Sequence, residues 1–439
     1  MSVASTLVEG LGAGFALARD VPLPRGIRVG FEGDSLCALH SAFGGGEKKS
    51  LQLAGMSNRG FWGWANVLSG GKYDFIENKG VGGNSTGNII TRFYTSDGVL
   101  GLKDAGCQLV YFSLGINNFA AGDTLEEVAA DMIQIWDQTV RLGLVPVAST
   151  VLTGDTGGNH YSARQTILEF NQWMREYLAG RRDVLFFDAH RACVDPTSTT
   201  AVPKSGYFYD NTHPSGIGAY YIGQEINRVI SPLFPATVWG VASAAESYGV
   251  STTSRQILQN PLFTGTSGTT TPGSGSITGD IATNWNVQVE SGTAAVTASL
   301  VADPNGFGNR QRIVIDNSGG GSATSVLIRP ASSIHARVNG GDTILCEAEA
   351  SITDPVGMTE FNWYISQSGG SDSQSRFNSL AADTAYPQVS FGGRFRIPRH
   401  TMVGPTAPTN FRPILRTTLN AGGSATVELG RAECRRAQV

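Results

Sequence analysis

The chain carries few charges of either sign and no run of basic residues. Asp, Glu, Lys and Arg make up 15% of its 439 residues, for a net charge of -4. Such a surface has no means of neutralising a row of phosphates, which argues against a nucleic-acid partner. Cysteine is scarce: Cys37, Cys107, Cys193, Cys346 and Cys434 show no Cys-x-x-Cys spacing, so neither a zinc site nor a disulfide framework is indicated. Their odd number leaves at least one thiol unpaired, and Cys37 and Cys107, set in apolar stretches, read as core residues. No apolar run approaches the length of about 20 residues that crosses a bilayer. The first 18 residues are mildly apolar and end in Ala16-Leu17-Ala18, but they lack a basic start and contain Glu9. Residues 1–25 are therefore expected to be a leader or connecting segment, with no convincing signal peptide.

Glycine, by contrast, is abundant, at 56 residues, and with many Ser and Thr it suits loop-rich β structure and an extracellular or particle-associated protein. The length predicts two domains, each able to bury its own core. From Ile27 onward apolar strands alternate with amphipathic helices: Tyr73–Asn78, Gln108–Leu114, Leu144–Thr150 and Asp183–Asp188 read as buried strands. A capping box, Thr124-Leu125-Glu126-Glu127, opens a helix to about Leu142. Another helix runs from Ser162 to Gly180, and a third from about Ser215 to Ile230. This alternation predicts a three-layer α/β domain with a parallel sheet, flavodoxin-like, over residues 26–235. Residues 236–279 read as a connecting segment whose polar part, 264–279, is a loop or linker. Beyond it the period becomes two, and short strands predict an antiparallel β-sandwich, jelly-roll-like, over 280–439, with Asn420-Ala421-Gly422-Gly423 as a hairpin turn.

Three segments carry chemistry: Gly33-Asp34-Ser35 after one apolar run, Gly115-Ile116-Asn117 after another, and Asp210-Asn211-Thr212-His213. A serine hydroxyl needs a base to take its proton, the base needs a third group to fix its tautomer, and the developing oxyanion needs prepositioned donors. Each segment also has a plainer reading. Gly-Asp-Ser is a good turn that caps a helix, Asn117 suits a helix cap, and Asp210 suits a turn. What favours the chemical reading is that Ser35 follows Ile27, Val29 and Phe31 and precedes Leu36-Cys37-Ala38, where a strand hands over to a helix. Side chains there lie at the carboxyl edge of the sheet, where open α/β folds bind ligands.

The chain resembles the SGNH (GDSL-type) hydrolase superfamily of esterases, lipases and carbohydrate deacetylases. The matching blocks are Phe31-Glu32-Gly33-Asp34-Ser35-Leu36, Asn78-Lys79-Gly80-Val81-Gly82-Gly83-Asn84-Ser85-Thr86, Gly115-Ile116-Asn117-Asn118, and Asp210 to His213 followed by Pro214-Ser215-Gly216. The resemblance implies Ser35 as nucleophile, His213 as base and Asp210 as its orienter. It further implies an oxyanion hole from the N–H groups of Ser35 and a glycine and the amide of Asn117, with spacing favouring Gly83 over Gly82. It covers residues 26–235. The second domain resembles, in architecture alone, the jelly-roll carbohydrate-binding modules of polysaccharide-active enzymes.

Aromatic clusters near these blocks offer substrate walls as well as core: Trp62 and Trp64, and above all Tyr209 beside Asp210. Trp285 and Trp363 pose the same choice in the second domain. The other five histidines, His40, His160, His190, His335 and His400, read as ordinary surface or core residues. The expectation is a serine esterase needing no metal or organic cofactor, acting on an acetylated polysaccharide. The alternatives are a lipase or thioesterase on small acyl substrates, and a non-catalytic phage-tail or surface adhesion protein.

Overall fold

The computed structural model describes residues 26–41, 49–50, 55–158, 160–237, 241–250, 255–368, 377–378, 385–402 and 408–436. The segment expected to be a leader, 1–25, lies outside them. The chain divides into two compact units, Met1–Leu51 with Ser57–Thr237, and Gln52–Met56 with Val238–Val439.

In the first unit, β1 (Ile27–Gly33), β2 (Tyr73–Asn78), β3 (Leu109–Ser113), β4 (Val145–Ser149) and β5 (Leu185–Phe187) form a parallel sheet in the order β2-β1-β3-β4-β5. A two-residue antiparallel strand, Lys49–Ser50, lies outside β2. Because β1 pairs with β2 on one side and with β3 on the other, the winding reverses at β1, and the crevice beyond the carboxyl ends of β1 and β3 is the natural ligand position. The helices are α1 (Ser35–Ala38), α2 (Phe61–Leu68), α3 (Thr86–Arg92), α4 (Val99–Asp104), α5 (Ile116–Ala121), α6 (Leu125–Arg141), α7 (Arg164–Ala179), α8 (Ala189–Cys193) and α9 (Gly216–Val229).

The two faces of the sheet are packed differently. On one, Phe31, Tyr111 and Phe187 meet His40, Phe61 and Trp62 in an aromatic layer, with the His40 ring stacked 4.6 Å from Phe31. On the other, Val110, Phe112 and Ala148 are buried with Leu102, Phe119, Met132, Trp136 and Phe170. The alternation follows from the period of two along each strand. Each of these large side chains adds roughly 1.5–3 kcal/mol by leaving water. Helix ends follow local signals: Thr124 and Glu127 form the expected reciprocal cap of α6, and Ser215 caps α9 through the Gly218 N–H.

The second unit is built from β6 (Ser267–Thr271), β7 (Ser276–Gly279), β8 (Ile281–Ser291), β9 (Ala295–Ala302), β10 (Asn309–Asp316), β11 (Thr324–Pro330), β12 (Thr343–Ser368), β13 (Phe391–Arg396) and β14 (Asn410–Arg436). The long strands β12 and β14 pair antiparallel along almost their whole length. They bend together where Asp354, Gly357 and Gly422 take positive φ. Residues 415–419 of β14 pair with β11 and residues 424–430 with β10, so β14 links those two strands within one continuous sheet. Gln311 of β10 ties this strand to the start of β8, accepting from the Ala282 N–H at 2.9 Å and donating to the Asp280 carbonyl.

Two local expectations fail here. Residues 264–279 are not a linker but supply β6 and β7, exposed edge strands that pair parallel with β8 and β9. Threonine has good strand propensity, and an edge needs little burial. Asn420 to Gly423 is not a hairpin turn but a bend within β14, because both flanking segments pair with β12 instead of with each other.

Candidate active site

The segments that follow β1, β2 and β3 meet a fourth, Tyr207 to Ser215, at the carboxyl edge of the sheet. Gly33 ends β1 at φ 144°, and a Cβ there would lie 2.2 Å from the Ser113 carbonyl oxygen, so only glycine lets β1 and β3 come this close. Asp34 follows as the cap of α1, its Oδ1 accepting from the Leu36 N–H at 2.9 Å. Burial pushes the Asp34 carboxyl up to about 7, against the opposing effect of that bond. Ser35 is thereby fixed as the first residue of a short helix, partly exposed among buried neighbours.

The segment Tyr207 to Ser215 doubles back on itself: the Tyr209 N–H donates to the His213 carbonyl at 3.1 Å, and the Ser215 N–H to Tyr207 at 2.8 Å. This turn presents Asp210 and His213 side by side. Asp210 Oδ1 accepts the N–H groups of Thr212 and His213, both at 2.7 Å, and Oδ2 lies 2.8 Å from His213 Nδ1. Burial raises the pKa of Asp210, but these three bonds outweigh it and hold the carboxyl below its ordinary range. An ionised carboxylate beside Nδ1 selects the Nδ1–H tautomer. Nε2 is then an acceptor, and the Ser35 hydroxyl, 2.7 Å away, donates to it.

The third component is the loop between β2 and α3. Its Val81 N–H donates to the Gly33 carbonyl at 2.9 Å, which keeps the loop beside Ser35. A Cβ on Gly82 would lie 3.9 Å from Ser35 Cβ. Gly83 takes φ 80°, a conformation costly for other residues, and faces open space. Asn117, second in α5, donates Nδ2–H to the Asn84 carbonyl at 2.9 Å, which leaves its other amide hydrogen for a further acceptor. Among the described residues, the N–H groups of Ser35, Gly82 and Gly83 make no hydrogen bond to a protein acceptor.

The remaining expectations divide. Tyr209 is at the rim, 39% exposed, with its ring stacked on His213 at 5.7 Å. Trp62 and Trp64 do not line the site: both are wholly buried, Trp62 in the aromatic layer and Trp64 donating to the Asn58 carbonyl. Trp285 and Trp363 are likewise buried in the sandwich. Sequence reasoning missed Arg59, whose guanidinium lies 3.3 Å from the centre of the Tyr209 ring. It also missed Glu32 and Arg92, which pair beneath the β2–α3 loop. A glutamate inside the buried strand Phe31-Glu32-Gly33 was a signal that a cation must meet it, but not which one. Among the described residues no cluster of three or more His, Cys, Asp or Glu side chains is placed to hold a metal.

The model of the GDSL-like lipase/acylhydrolase family matches residues 31–219. Over residues 31–219, less than half of the chain, the sequence is similar to that family. The matched span is thus similar to ester hydrolases, and it contains the Ser35–His213–Asp210 arrangement and the loops around it. Among solved structures, the chain is similar to an acetylxylan esterase from Geobacillus stearothermophilus, at 20% identity and a TM-score of 0.36, over 46% of this chain and 93% of that one. It is also similar to a GDSL-like lipase from Bacteroides thetaiotaomicron, at 16% identity and a TM-score of 0.36, over 52% and 97% of the two chains. No curated protein matches. No helix among the described residues is long and apolar enough to cross a membrane.

Proposed function

We propose that the α/β unit is a serine esterase working through an acyl-enzyme, and that its substrate is an O-acetylated polysaccharide. The observation that carries the reading is the line from Asp210 through His213 to Ser35, bonded at 2.8 and 2.7 Å, which ends beside backbone donors open to a ligand. Ser35 Oγ attacks the ester carbonyl carbon as its proton passes to His213 Nε2, and Asp210 stabilises the imidazolium. The oxyanion takes hydrogen bonds from the N–H groups of Ser35 and Gly83 and from Nδ2 of Asn117, donors that need no reorganisation as charge develops. On collapse of the tetrahedral intermediate, His213 returns the proton to the leaving sugar oxygen. A water molecule, deprotonated by the same imidazole, then attacks the acyl group and frees acetate and Ser35.

The polymer assignment has two supports. Of the large hydrophobic side chains described in the α/β unit, Tyr94 and Tyr209 are the exposed ones, which suits a polar substrate better than a lipid surface. The appended β unit suits a module that holds the enzyme on glycan. The test is acetate release from a panel of acetylated polysaccharides, set beside nitrophenyl esters of increasing chain length, with Ser35→Ala as the control. Preference for short acyl groups and release from polymer are expected; preference for long chains would move the reading to a lipase.

A further inference from the structure

The side chain of Arg92 holds the β2–α3 loop from below at both of its ends, beside the bond from the Gly80 N–H to Asn78 Oδ1 at 2.9 Å. Arg92, at the end of α3, donates to Glu32 Oε1 on β1, to the Asn84 side-chain oxygen, and to the Lys79 carbonyl at 3.2 Å. Its three acceptors are the strand residue three places before Ser35, the first residue of the loop and the residue after Gly83. Glu32 is wholly buried, and the Arg92 side chain is 15% exposed. From the other side, Asn117 donates to the Asn84 carbonyl, so Asn84 is gripped at its side chain by Arg92 and at its backbone by Asn117. Glu32 in turn accepts from the Gly33 N–H at 3.0 Å, which ties the brace to the turn that presents Ser35.

We propose that Arg92 is the positioning residue of the oxyanion hole: through Asn84 it fixes the Gly83 N–H and the Asn117 amide relative to Ser35. The proposal rests on the esterase reading above. Arg92 does not touch the reacting atoms. Its planar fork reaches several acceptors at once, whereas a lysine ammonium on a shorter reach neutralises Glu32 without holding both ends of the loop. Donors displaced by a fraction of an ångström lose most where charge is greatest, in the transition state, so the loss falls on kcat and spares KM.

The test uses the full chain. Arg92→Lys keeps the buried charge paired and should fold with nearly the parent Tm, while kcat on an aryl acetate falls about 10-fold and KM changes less than about threefold. Arg92→Met leaves Glu32 charged and alone, so it is paired with Glu32→Gln in a double variant, for which a kcat loss of roughly 10–100-fold is expected. A cycle with Asn117→Ala gives the decisive readout. Because Arg92 and Asn117 act on the same residue, Arg92→Lys/Asn117→Ala should cost little more than Asn117→Ala alone, whereas independent effects would multiply. Multiplicative losses, or a folded Arg92→Lys enzyme with kcat within twofold of the parent, would overturn the proposal while leaving the esterase reading intact. A parent without esterase activity, or a Ser35→Ala variant as active as the parent, would overturn both.

Discussion

The two units bury polar groups in opposite ways. In the β unit they close on each other: Arg394 meets Glu347 at 2.7–2.9 Å, Arg310 meets Asp303 at 2.8 Å, and Gln311 is bonded at both ends of its amide. These pairs have their partners inside the unit, and none of the bonds named here ends at an open edge. In the α/β unit the buried polar residues Glu32, Asp34, Asn78 and Asn118 crowd toward one edge of the sheet, and their bonds run into loops that end in unused donors. What separates a structural network from a reactive one is whether its last hydrogen bond is made inside the protein.

If that contrast is right, the largest loss comes from cutting the α/β network at its open end. Ser35→Ala should lower ester hydrolysis by roughly 10³-fold or more while leaving the Tm near that of the parent, because the oxyanion donors alone cannot replace the attacking oxygen. A fluorophosphonate should label the parent at Ser35 and not the variant. Activity within about tenfold of the parent would remove the proposed role of Ser35. Next in size, Asn117→Ala should lower kcat by roughly 10²–10³ with KM little changed. A change confined to KM would make Asn117 a substrate-binding residue and dissolve the contrast at that position.

Acid stability sharpens the comparison within the aromatic layer. Nδ1–H of His40 donates to the Leu36 and Cys37 carbonyls at 3.0 and 3.2 Å, and burial drives its pKa down to about 3. Burial likewise lowers His190 to about 4. The unfolded chain takes up these protons near 6.5, so the stability from the neutral rings is complete above that pH and is lost as pH falls toward 4 and then 3. Asp34 acts in the opposite sense: its carboxyl is raised to about 7, and its stability contribution is lost as pH rises from about 4 to 7. The drop in Tm between pH 7 and pH 5 should therefore shrink in His40→Gln relative to the parent, whatever the variant's Tm at pH 7. An equal drop in both proteins would mean that the folded state protonates His40 readily.

Much of this was legible in the sequence where one residue's chemistry and its neighbours fix the geometry. Ile27, Val29 and Phe31 declared β1, Thr124 and Glu127 declared the start of α6, and the spacing from Asp210 to His213 suffices for a tight turn to bond one to the other. What was hidden depends on partners far apart in the chain. The Arg92–Glu32 pair spans 60 residues, and nothing local in Ile89-Ile90-Thr91-Arg92 names its acceptor. Trp62 and Trp64 kept two readings because an aromatic pair in the first turn of a helix has the same local pattern whether the helix packs inward or lines a cleft. The polar stretch 264–279 misled for a related reason: edge strands need hydrogen-bonding partners more than they need apolar side chains, and those partners, β8 and β9, are defined only by tertiary pairing.

The smallest expected effect bears on the proposed task of the β unit. Its tryptophans Trp285 and Trp363 are buried, so neither can stack on a sugar without unpacking the sandwich. Tyr248 is the described aromatic of this unit with substantial surface, 40% exposed, and the Arg337 guanidinium lies 4.1 Å from its ring centre. An aromatic ring backed by a cation offers an apolar face and a fixed donor together, the combination that sugar C–H and hydroxyl groups use. If the unit holds glycan through this surface, Tyr248→Ala should weaken retention on acetylated polysaccharide by about 2–10-fold, as loss of one aromatic contact worth roughly 0.5–1.5 kcal/mol implies. Hydrolysis of a small aryl acetate should stay the same, because Tyr248 has no part in the Ser35 line. Retention equal to that of the parent would mean that Tyr248 is not the contact. If the parent itself is not retained on any glycan, the β unit has another task, and the polysaccharide assignment must stand on the polar rim of the α/β unit alone.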